Sequence, residues 1–304
     1  MIGWLIYSAV DVEKNKYYIQ MYKDKFKEHF IEIKLVIVEE LENMEQYVKC
    51  NKVDFAINRS RNHIMGELLE QKGVRVFNSS SVTRIANNKG ITYEFLKDVV
   101  PFLAVKYGNE IIESKIENKG FEYPYVIKSC SGHGGSQVFL VNNSKEEEQA
   151  IKAMNGQEYV VQQCCSDLGR DVRVYIIGNK IIKAVLRTST ESFKSNYSLG
   201  GKVQEYTLNN EEKAMVERIV DKLPLDYAGI DFTFNNGKAV FNEIEDAVGA
   251  RMLYQVSDID IVEMYIKYIL EQLSMPQLRS CNKVAISLAA LFSAFSKRTP
   301  PDLE

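Results

Sequence analysis

This chain has few histidines, no cysteine spacing typical of a metal site and no excess of basic residues. Its 304 residues contain 3 histidines, and 38 lysines and arginines stand against 41 acidic residues. The resulting net charge of -3 argues against nucleic acid as the main partner, because a phosphate backbone is bound by a concentrated basic surface. Local basic pockets for a small anion are still compatible with this balance.

The five cysteines (Cys50, Cys130, Cys164, Cys165 and Cys281) are odd in number and lack the spacing of a metal site. Reduced thiols in a cytoplasm are the simplest interpretation. No secretory signal pattern precedes the first strand-like run, and the apolar run at 284–295 is well short of the roughly 20 residues that a membrane span needs. We therefore expect a cytoplasmic protein without a membrane partner.

Domain organisation follows from how the patterns change along the chain. Short apolar runs alternate with amphipathic ones at first, which predicts a small parallel sheet covered by helices. Strand and turn patterns dominate from Tyr125 onward. The expected fold is α/β (α+β), and the expected divisions are an N-terminal α/β domain (1–85), a central subdomain (86–160), a C-terminal subdomain (161–273) and a tail (274–304). The tail reads either as a packed helix or as vector-derived sequence, because its composition changes abruptly.

A predicted β-hairpin that carries Asp231, Glu243 and Glu245 is the most informative segment. Glu243 and Glu245 point to one face, because side chains alternate across a strand. A two-residue turn at Asn236-Gly237 would turn Asp231 away from them, whereas a three-residue loop with Gly237 in a left-handed bulge position places all three on one face. We expect the three-residue loop. Three converging carboxylates suit Mg²⁺, and a solvated hairpin face is the alternative.

A glycine-rich loop at 131–136 lies between two predicted strands. It matches neither GxxxxGK[ST] nor GxGxxG, so the usual phosphate loops are excluded. A strand-loop-strand flap can instead cover a nucleotide, with backbone N–H groups of Gly132, Gly134, Gly135 and Ser136 reaching phosphate oxygens. An ordinary glycine hairpin is the alternative. Lys128 before the loop and Lys89 at a helix start are candidate phosphate ligands.

Several arginines occupy positions where an anion would be expected. Arg173 and Arg187 alternate with apolar residues on neighbouring strands, and a half-buried arginine usually needs an anion. Arg59 and Arg61 follow a first-domain strand, at the edge where open α/β sheets bind ligands. They are candidates for a substrate carboxylate, with a surface role as the alternative.

The order of these motifs resembles the ATP-grasp superfamily, and within it the RimK-like glutamate ligases, over about residues 1 to 272. The matching motifs are Lys128 with the loop 131–136, the hinge Val161-Gln162-Gln163-Cys164-Cys165, the segment Gly169-Arg170-Asp171-Val172-Arg173, Arg187 with Lys194-Ser195-Asn196 and Gly200-Gly201, and Asp231 with Glu243-Ile244-Glu245. The family pattern departs at Gln163, Lys194 and Glu245, where acidic, arginine and asparagine residues are common.

The resemblance implies an ATP-grasp fold, in which two α+β subdomains grip ATP. It implies that Lys89 and Lys128 contact phosphates, and that Gln163 and Cys164 offer hinge backbone to adenine. Asp171, Lys194, Ser195 and Asn196 would complete the nucleotide site. Asp231, Glu243 and Glu245 would hold one or two Mg²⁺ ions, with Mn²⁺ as an alternative.

The implied activity is that of a carboxylate-amine ligase, which forms an acyl phosphate from ATP and passes the acyl group to an amine. Arg187, with Arg173, would stabilise the reacting oxygens. Arg251 stands in the segment after the hairpin, where the family's S-P-G is missing, and is a further substrate candidate. Two alternatives stay open: a D-alanine-D-alanine-type or peptide-modifying ligase of the same superfamily, and a non-catalytic ATP-binding regulatory module. A homodimer is compatible with either.

Overall fold

The computed structural model describes residues 1–108, 121–135, 137–189 and 201–275. Residues 1–269 form one compact unit, and residues 270–304 form a second, of which 270–275 are described. Four predicted nucleotide ligands, Ser136, Lys194, Ser195 and Asn196, lie outside the described residues, as does nearly all of the tail. The division of the chain into three domains and a tail stays a prediction.

A parallel sheet is formed by the first part of the chain, as the alternating pattern predicts. Among the described residues its order is β2-β1-β3-β4. Its strands are β1 (Ile2–Tyr7), β2 (Glu32–Ile37), β3 (Phe55–Asn58) and β4 (Arg75–Phe77). The accompanying helices are α1 (Ala9–Val12), α2 (Lys16–Glu28), α3 (Met44–Cys50) and α4 (His63–Gln71). Apolar side chains from both layers, including Trp4, Val48 and Leu69, form a shared core.

Two short helices follow the parallel sheet, α5 (Ser80–Ala86) and α6 (Lys89–Leu96), so Lys89 does begin a helix, as predicted. Asn88 caps α6, since its side chain accepts a hydrogen bond from the Ile91 backbone N–H. This cap makes Lys89 the first residue of the helix. The Lys89 backbone N–H donates to the Cys130 carbonyl at 2.9 Å, which ties the helix start to the glycine-rich loop.

An antiparallel sheet of order β5-β8-β6-β7 comes next in the described residues. Its strands are β5 (Val105–Tyr107), β6 (Tyr125–Ser129), β7 (Val138–Val141) and β8 (Tyr159–Gln163). Helix α7 (Ser144–Met154) lies between β7 and β8 in sequence, and its Ala150 and Met154 pack on the sheet. The glycine-rich loop does connect two strands, β6 and β7, as predicted.

A second antiparallel sheet, of order β11-β10-β9-β12-β13 in the described segments, carries most of the charged candidates. Its strands are β9 (Arg170–Ile177), β10 (Lys180–Thr188), β11 (Lys202–Tyr206), β12 (Tyr227–Asn235) and β13 (Lys238–Glu245). Helices α8 (Asn210–Lys222), α9 (Leu253–Val256) and α10 (Ile261–Ser274) complete the described elements. None of the described helices is both long and apolar enough to cross a membrane.

The turn between β12 and β13 corrects one prediction. Asn235 pairs with Lys238, so the turn has two residues, and both Asn236 and Gly237 have positive φ, at 51° and 74°. The expected three-residue loop was therefore wrong. Asp231 nevertheless pairs directly with Glu243, because the register shifts after Asp231 and leaves Asn242 as an extra residue. A bulge at Asn242, and not one at the turn, puts the carboxylates on one face.

Candidate functional site

A cleft lies between the two antiparallel sheets. Its apolar walls include Leu103, Val126, Val138 and Leu168, and its polar lining comes from both sheets. Of the predicted nucleotide ligands, those that line it are Lys89, Lys128, Gly132, Gly134, Gly135, Gln163 and Asp171. An apolar slot with lysines and glycines at one end has the composition that a nucleotide site needs.

The hinge at the end of β8 differs in detail from the prediction. Gln163 and Cys165 line the cleft, whereas Cys164 is not among the lining residues. The Gln163 backbone N–H donates to the Ala104 carbonyl at 2.9 Å, so this N–H is already used within the sheet. The predicted backbone contacts of Gln163 and Cys164 with adenine stay a prediction.

Both candidate lysines are held by oxygen atoms at the polar end of the cleft. Lys89 Nζ donates to the Gly132 carbonyl at 2.6 Å and lies 3.7 Å from a Glu243 oxygen. Lys128 Nζ donates to Asn242 Oδ1 at 2.9 Å, and burial lowers the pKa of Lys128 to about 8. A buried ammonium held by a neutral amide retains most of its capacity to attract an anion.

Arg173, Arg187, Asp171 and Asp231 form a buried ion network on the second antiparallel sheet. Arg173 donates to both Asp231 oxygens, at 2.8 and 2.7 Å. Arg187 donates to both Asp171 oxygens and, at 2.7 Å, to Asp231. Burial alone would raise the pKa of Asp231, but the two guanidinium groups outweigh it and lower that pKa to about 2. The network fixes both arginines in place, since bidentate pairs have defined geometry.

Gly229 makes room for this network. A Cβ atom there would lie 3.2 Å from Cδ of Arg173 and 2.9 Å from a Val248 methyl carbon. Glycine at this strand position therefore lets the Arg173 side chain cross the backbone toward Asp231. This role of Gly229 could not be predicted, because nothing in the sequence indicates which side chain crosses a glycine in a strand.

The predicted metal ligands fit a cation unequally. Glu243 and Glu245 present carboxylates with 35% and 30% of their side chains exposed, although Arg173 lies 2.6 Å from a Glu245 oxygen. Asp231 is fully buried, and both of its oxygens accept hydrogen bonds from arginine. Within the described ranges no three acidic, histidine or cysteine residues are arranged to hold a metal. Arginines therefore supply the positive charge at Asp231, where we expected a metal ion.

A second cavity, of about 310 Å³, adjoins the cleft. Five residues line both spaces: Lys89, Gly132, Gly134, Gly135 and Glu243. Arg173 and Arg187 line the second cavity but not the cleft. The volume falls in the range of small-molecule sites. The geometry thus joins a nucleotide-like cleft to a separate chamber at Lys89, the glycine-rich loop and Glu243.

Two of the three predicted substrate arginines, Arg61 and Arg251, line this second cavity. Arg61 forms an ion pair with Asp11. Arg59 does not line it and is 3% exposed, so it is buried in this structure, and its contact with a substrate carboxylate stays a prediction. Its guanidinium donates to the Val248 carbonyl at 2.8 Å and lies 5.0 Å from the Tyr18 ring centroid.

Sequence reasoning missed the contribution of the N-terminal segment to the second cavity. Asp11, Lys14, Tyr17 and Tyr18 line it beside residues from the end of β13 and from α9. These residues lie more than 200 positions apart in the chain. No local pattern predicts such a juxtaposition, because it depends on how the parallel sheet packs on the second antiparallel sheet.

Relatives with similar sequences cover most of the chain. The family described as RimK-like ATP-grasp domain matches residues 94–269. Uncharacterized protein MG011 of Mycoplasma genitalium is 32% identical over 266 residues, which are 86% of this chain and 90% of that protein. A protein of Vibrio vulnificus named probable alpha-L-glutamate ligase is 27% identical over 238 residues, which are 77% of this chain and 70% of that protein.

Solved structures share the fold at low sequence identity. The RimK domain protein ATP-grasp from Sphaerobacter thermophilus superposes with a TM-score of 0.68 at 18% identity, covering 89% of this chain and 100% of that one. The ATP-grasp ligase PsnB, complexed with a phosphomimetic variant of its minimal precursor, Mg and ADP, gives a TM-score of 0.66 at 14% identity, covering 90% and 98%. The mixed α/β architecture is therefore the ATP-grasp fold, and the chain belongs to the RimK-like ATP-grasp family.

Proposed function

We propose that the protein is an ATP-dependent carboxylate-amine ligase, which forms an amide or peptide bond through an acyl phosphate and releases ADP and phosphate. The observation that carries the proposal is the junction of the two cavities, lined on both sides by Lys89, Glu243 and the glycine-rich loop. ATP would occupy the cleft with its γ-phosphate at this junction. The carboxylate donor and the amine acceptor would occupy the second cavity.

The phosphate end of ATP would be held by the two lysines and the loop. Lys128 and Lys89 bring positive charge from a strand end and a helix start, and Gly134 and Gly135 have positive φ, at 64° and 76°. Glycines in that conformation allow backbone N–H groups to approach phosphate oxygens closely. Neutralising the phosphates lowers the barrier to attack by an anionic carboxylate.

The proposed ligation has two steps. A donor carboxylate oxygen attacks the γ-phosphorus, the bond from that phosphorus to the β,γ-bridging oxygen breaks, and ADP leaves. The amine nitrogen attacks the acyl carbon, phosphate leaves, and the nitrogen loses a proton. Arg187 and Arg173 would stabilise the negative oxygens in both steps, because their guanidinium groups line the second cavity and are fixed by carboxylates.

Glu243 and Glu245 would hold Mg²⁺ together with the phosphates, since Mg²⁺ usually binds one or two carboxylates. The ion would further neutralise the charge of the phosphates. A bound Mg ion in the PsnB structure supports this proposal, and Mn²⁺ is an alternative. Asp231 stays a predicted third ligand, which would require a change in its arginine pairing. Arg61 and Arg251 would orient the donor or the acceptor from the far walls of the second cavity.

The proposed reaction is tested by product analysis. The protein is incubated with ATP, Mg²⁺ and pairs drawn from a panel of amino acids, peptides and thiols, and the nucleotide products are separated. We expect ADP and phosphate in equal amounts with the amide product. Formation of AMP and pyrophosphate would overturn the acyl-phosphate mechanism. If the protein binds nucleotide but converts none of the pairs, the alternative of a non-catalytic ATP-binding regulatory module would be favoured.

The Glu243→Gln variant tests the role of the acidic hairpin. Its turnover is measured with the donor and acceptor pair that the wild type converts fastest. We expect turnover to fall on the order of 100-fold, because the metal loses a charged ligand at the cavity junction. Glu205→Gln is the matched control, since Glu205 is an exposed acid on β11 of the same sheet that pairs with Lys183. Equal turnover in the wild type and in Glu243→Gln would contradict the metal role.

Nucleotide affinity should depend on pH through Lys128. Burial lowers the pKa of Lys128 to about 8 against the attraction of Glu243, with Lys89, Cys165 and Cys164 as the other titratable neighbours. Bound phosphate favours the charged lysine, so ADP binding must be accompanied by proton uptake above that pKa. We expect ADP affinity to be level below pH 8 and to fall by up to about tenfold for each pH unit above it.

Calorimetric titration with ADP between pH 7 and 9.5 measures this dependence. Lys128→Met should bind ADP more weakly and without the change near pH 8. Lys152→Met, on the exposed face of α7, is the control and should keep the wild-type profile. A wild-type affinity that stays constant up to pH 9.5 would show that Lys128 does not contact the phosphates.

A further inference from the structure

Two adjacent cysteines follow β8 at the wall of the nucleotide cleft. Cys165 lines the cleft beside Lys128, Leu168 and Thr233, and both thiols are partly exposed. The proposed reaction uses neither sulfur, because an acyl phosphate needs no side-chain nucleophile. A free thiol that lines a ligand cleft, with a second free thiol next to it in the chain, therefore needs its own chemical interpretation.

The surroundings of Cys165 favour its thiolate. Thr233 Oγ1 donates to the Cys165 sulfur at 3.4 Å. A hydrogen bond from the Cys164 thiol is the largest influence and lowers the pKa of Cys165, and the nearby Lys128 ammonium acts in the same direction against burial. The thiolate is the nucleophilic form of cysteine, so two hydrogen-bond donors and one cation prepare this sulfur for attack.

The other described cysteines differ in the features that matter. Cys50 is exposed and lies at the end of α3, outside both cavities. Cys130 is 4% exposed, and burial raises its pKa to about 11. Among the described residues, Cys165 is thus the cysteine that combines access from the cleft with stabilisation of the thiolate.

We infer that Cys165 is a thiol-disulfide exchange site inside the nucleotide cleft, open to low-molecular-weight disulfides and closed by bound nucleotide. The Cys165 thiolate attacks one sulfur of the small disulfide. The disulfide bond breaks, a new bond forms between that sulfur and Cys165, and the second half leaves as a thiolate that takes a proton from solvent. A thiol reductant reverses the exchange.

The exchange would control nucleotide binding, and this consequence rests on the nucleotide-binding part of the proposed function alone. A group attached to the Cys165 sulfur would extend into the cleft that Leu168 and Lys128 also line, which is the space that ATP would occupy. Binding and modification must then exclude each other. The modified protein should lose nucleotide affinity, and the nucleotide-bound protein should resist modification.

The test uses 4,4′-dithiodipyridine, whose released thiopyridone is followed by absorbance. In a Cys50→Ser/Cys281→Ser background we expect one fast-reacting thiol, slowed by about tenfold when ADP is present at ten times its dissociation constant. Peptide mass mapping of the wild type should place the ADP-protected modification on Cys165, and this measurement needs no variant. ADP binding should disappear with modification and return with dithiothreitol.

Three results would overturn the inference: an ADP-protected thiol mapped to another cysteine, an ADP-independent rate at Cys165, or a modified protein that binds ADP with full affinity. Cys50 is the internal control, because its rate in the wild type should not respond to ADP. Failure of the ligase proposal is distinguishable. A protein without turnover whose Cys165 is protected by ADP keeps this inference, and an active ligase with an unreactive Cys165 loses it.

Discussion

Arg187→Met should lower kcat by about 100-fold to 1,000-fold while ADP affinity stays close to that of the wild type. Arg187 lines the second cavity and not the cleft, so its loss should affect the reacting oxygens more than the nucleotide. Removing a single fixed donor from an oxyanion site typically costs about 2.7–4 kcal/mol of transition-state stabilisation. ADP release with the most active substrate pair measures kcat, and calorimetry measures affinity.

Two further variants separate charge from geometry at this position. Arg187→Lys keeps the charge but loses the planar fork that spans Asp171 and Asp231, so we expect a partial loss of kcat. Arg218→Met is the control, because Arg218 lies on the exposed face of α8 and donates to a backbone carbonyl. If Arg187→Met weakened ADP binding and left kcat unchanged, Arg187 would belong to the nucleotide site.

Asp231→Asn should destabilise the fold by about 3–5 kcal/mol, because removing one partner of a buried ion pair leaves buried charge uncompensated. Asp231 has no exposed surface and accepts hydrogen bonds from both Arg173 and Arg187. Asparagine offers one acceptor oxygen and turns an amide donor toward a guanidinium group. The free energy of unfolding in urea measures the loss.

Asp221→Asn on the exposed face of α8 provides the matched control and should change stability little. The dependence of the free energy of unfolding on pH in acid gives a second measurement. The pKa of Asp231 in the folded chain, about 2, lies below its ordinary 3.8, so its contribution is complete above pH 3.8 and is lost as the pH falls toward 2. Equal stability of Asp231→Asn and the wild type would contradict the proposed role of the buried network.

The hairpin illustrates how far sequence reasoning reaches. The positions of both strands and the turn residues were predictable from period-two alternation and from the residues Asn236-Gly237. The shared face of Asp231 and Glu243 was expected through a three-residue loop that the structure does not have, so the route to that face was not predictable. A two-residue turn with positive φ at both positions was the stronger local signal, and the compensating bulge at Asn242 has no sequence signature.

Arg59 illustrates the complementary limit. The sequence correctly places Arg59 at the end of β3. It does not indicate what surrounds Arg59, because its partners Tyr7, Tyr18 and Val248 come from distant segments. The same applies to Asp231, whose carboxylate meets two arginines from neighbouring strands. Residue type indicates that a buried charge needs a partner, whereas only the packing of the sheets decides which partner it has.

Oxygen transfer tests the central claim most directly. The active carboxylate donor is labelled with ¹⁸O in both oxygens, a single round of product is formed with ATP and the amine, and the released phosphate is analysed by mass spectrometry. An acyl phosphate predicts one ¹⁸O atom in each phosphate, because the donor oxygen leaves with the phosphorus. Phosphate without ¹⁸O, with the oxygen lost from the donor recovered in AMP or in water, would contradict the account.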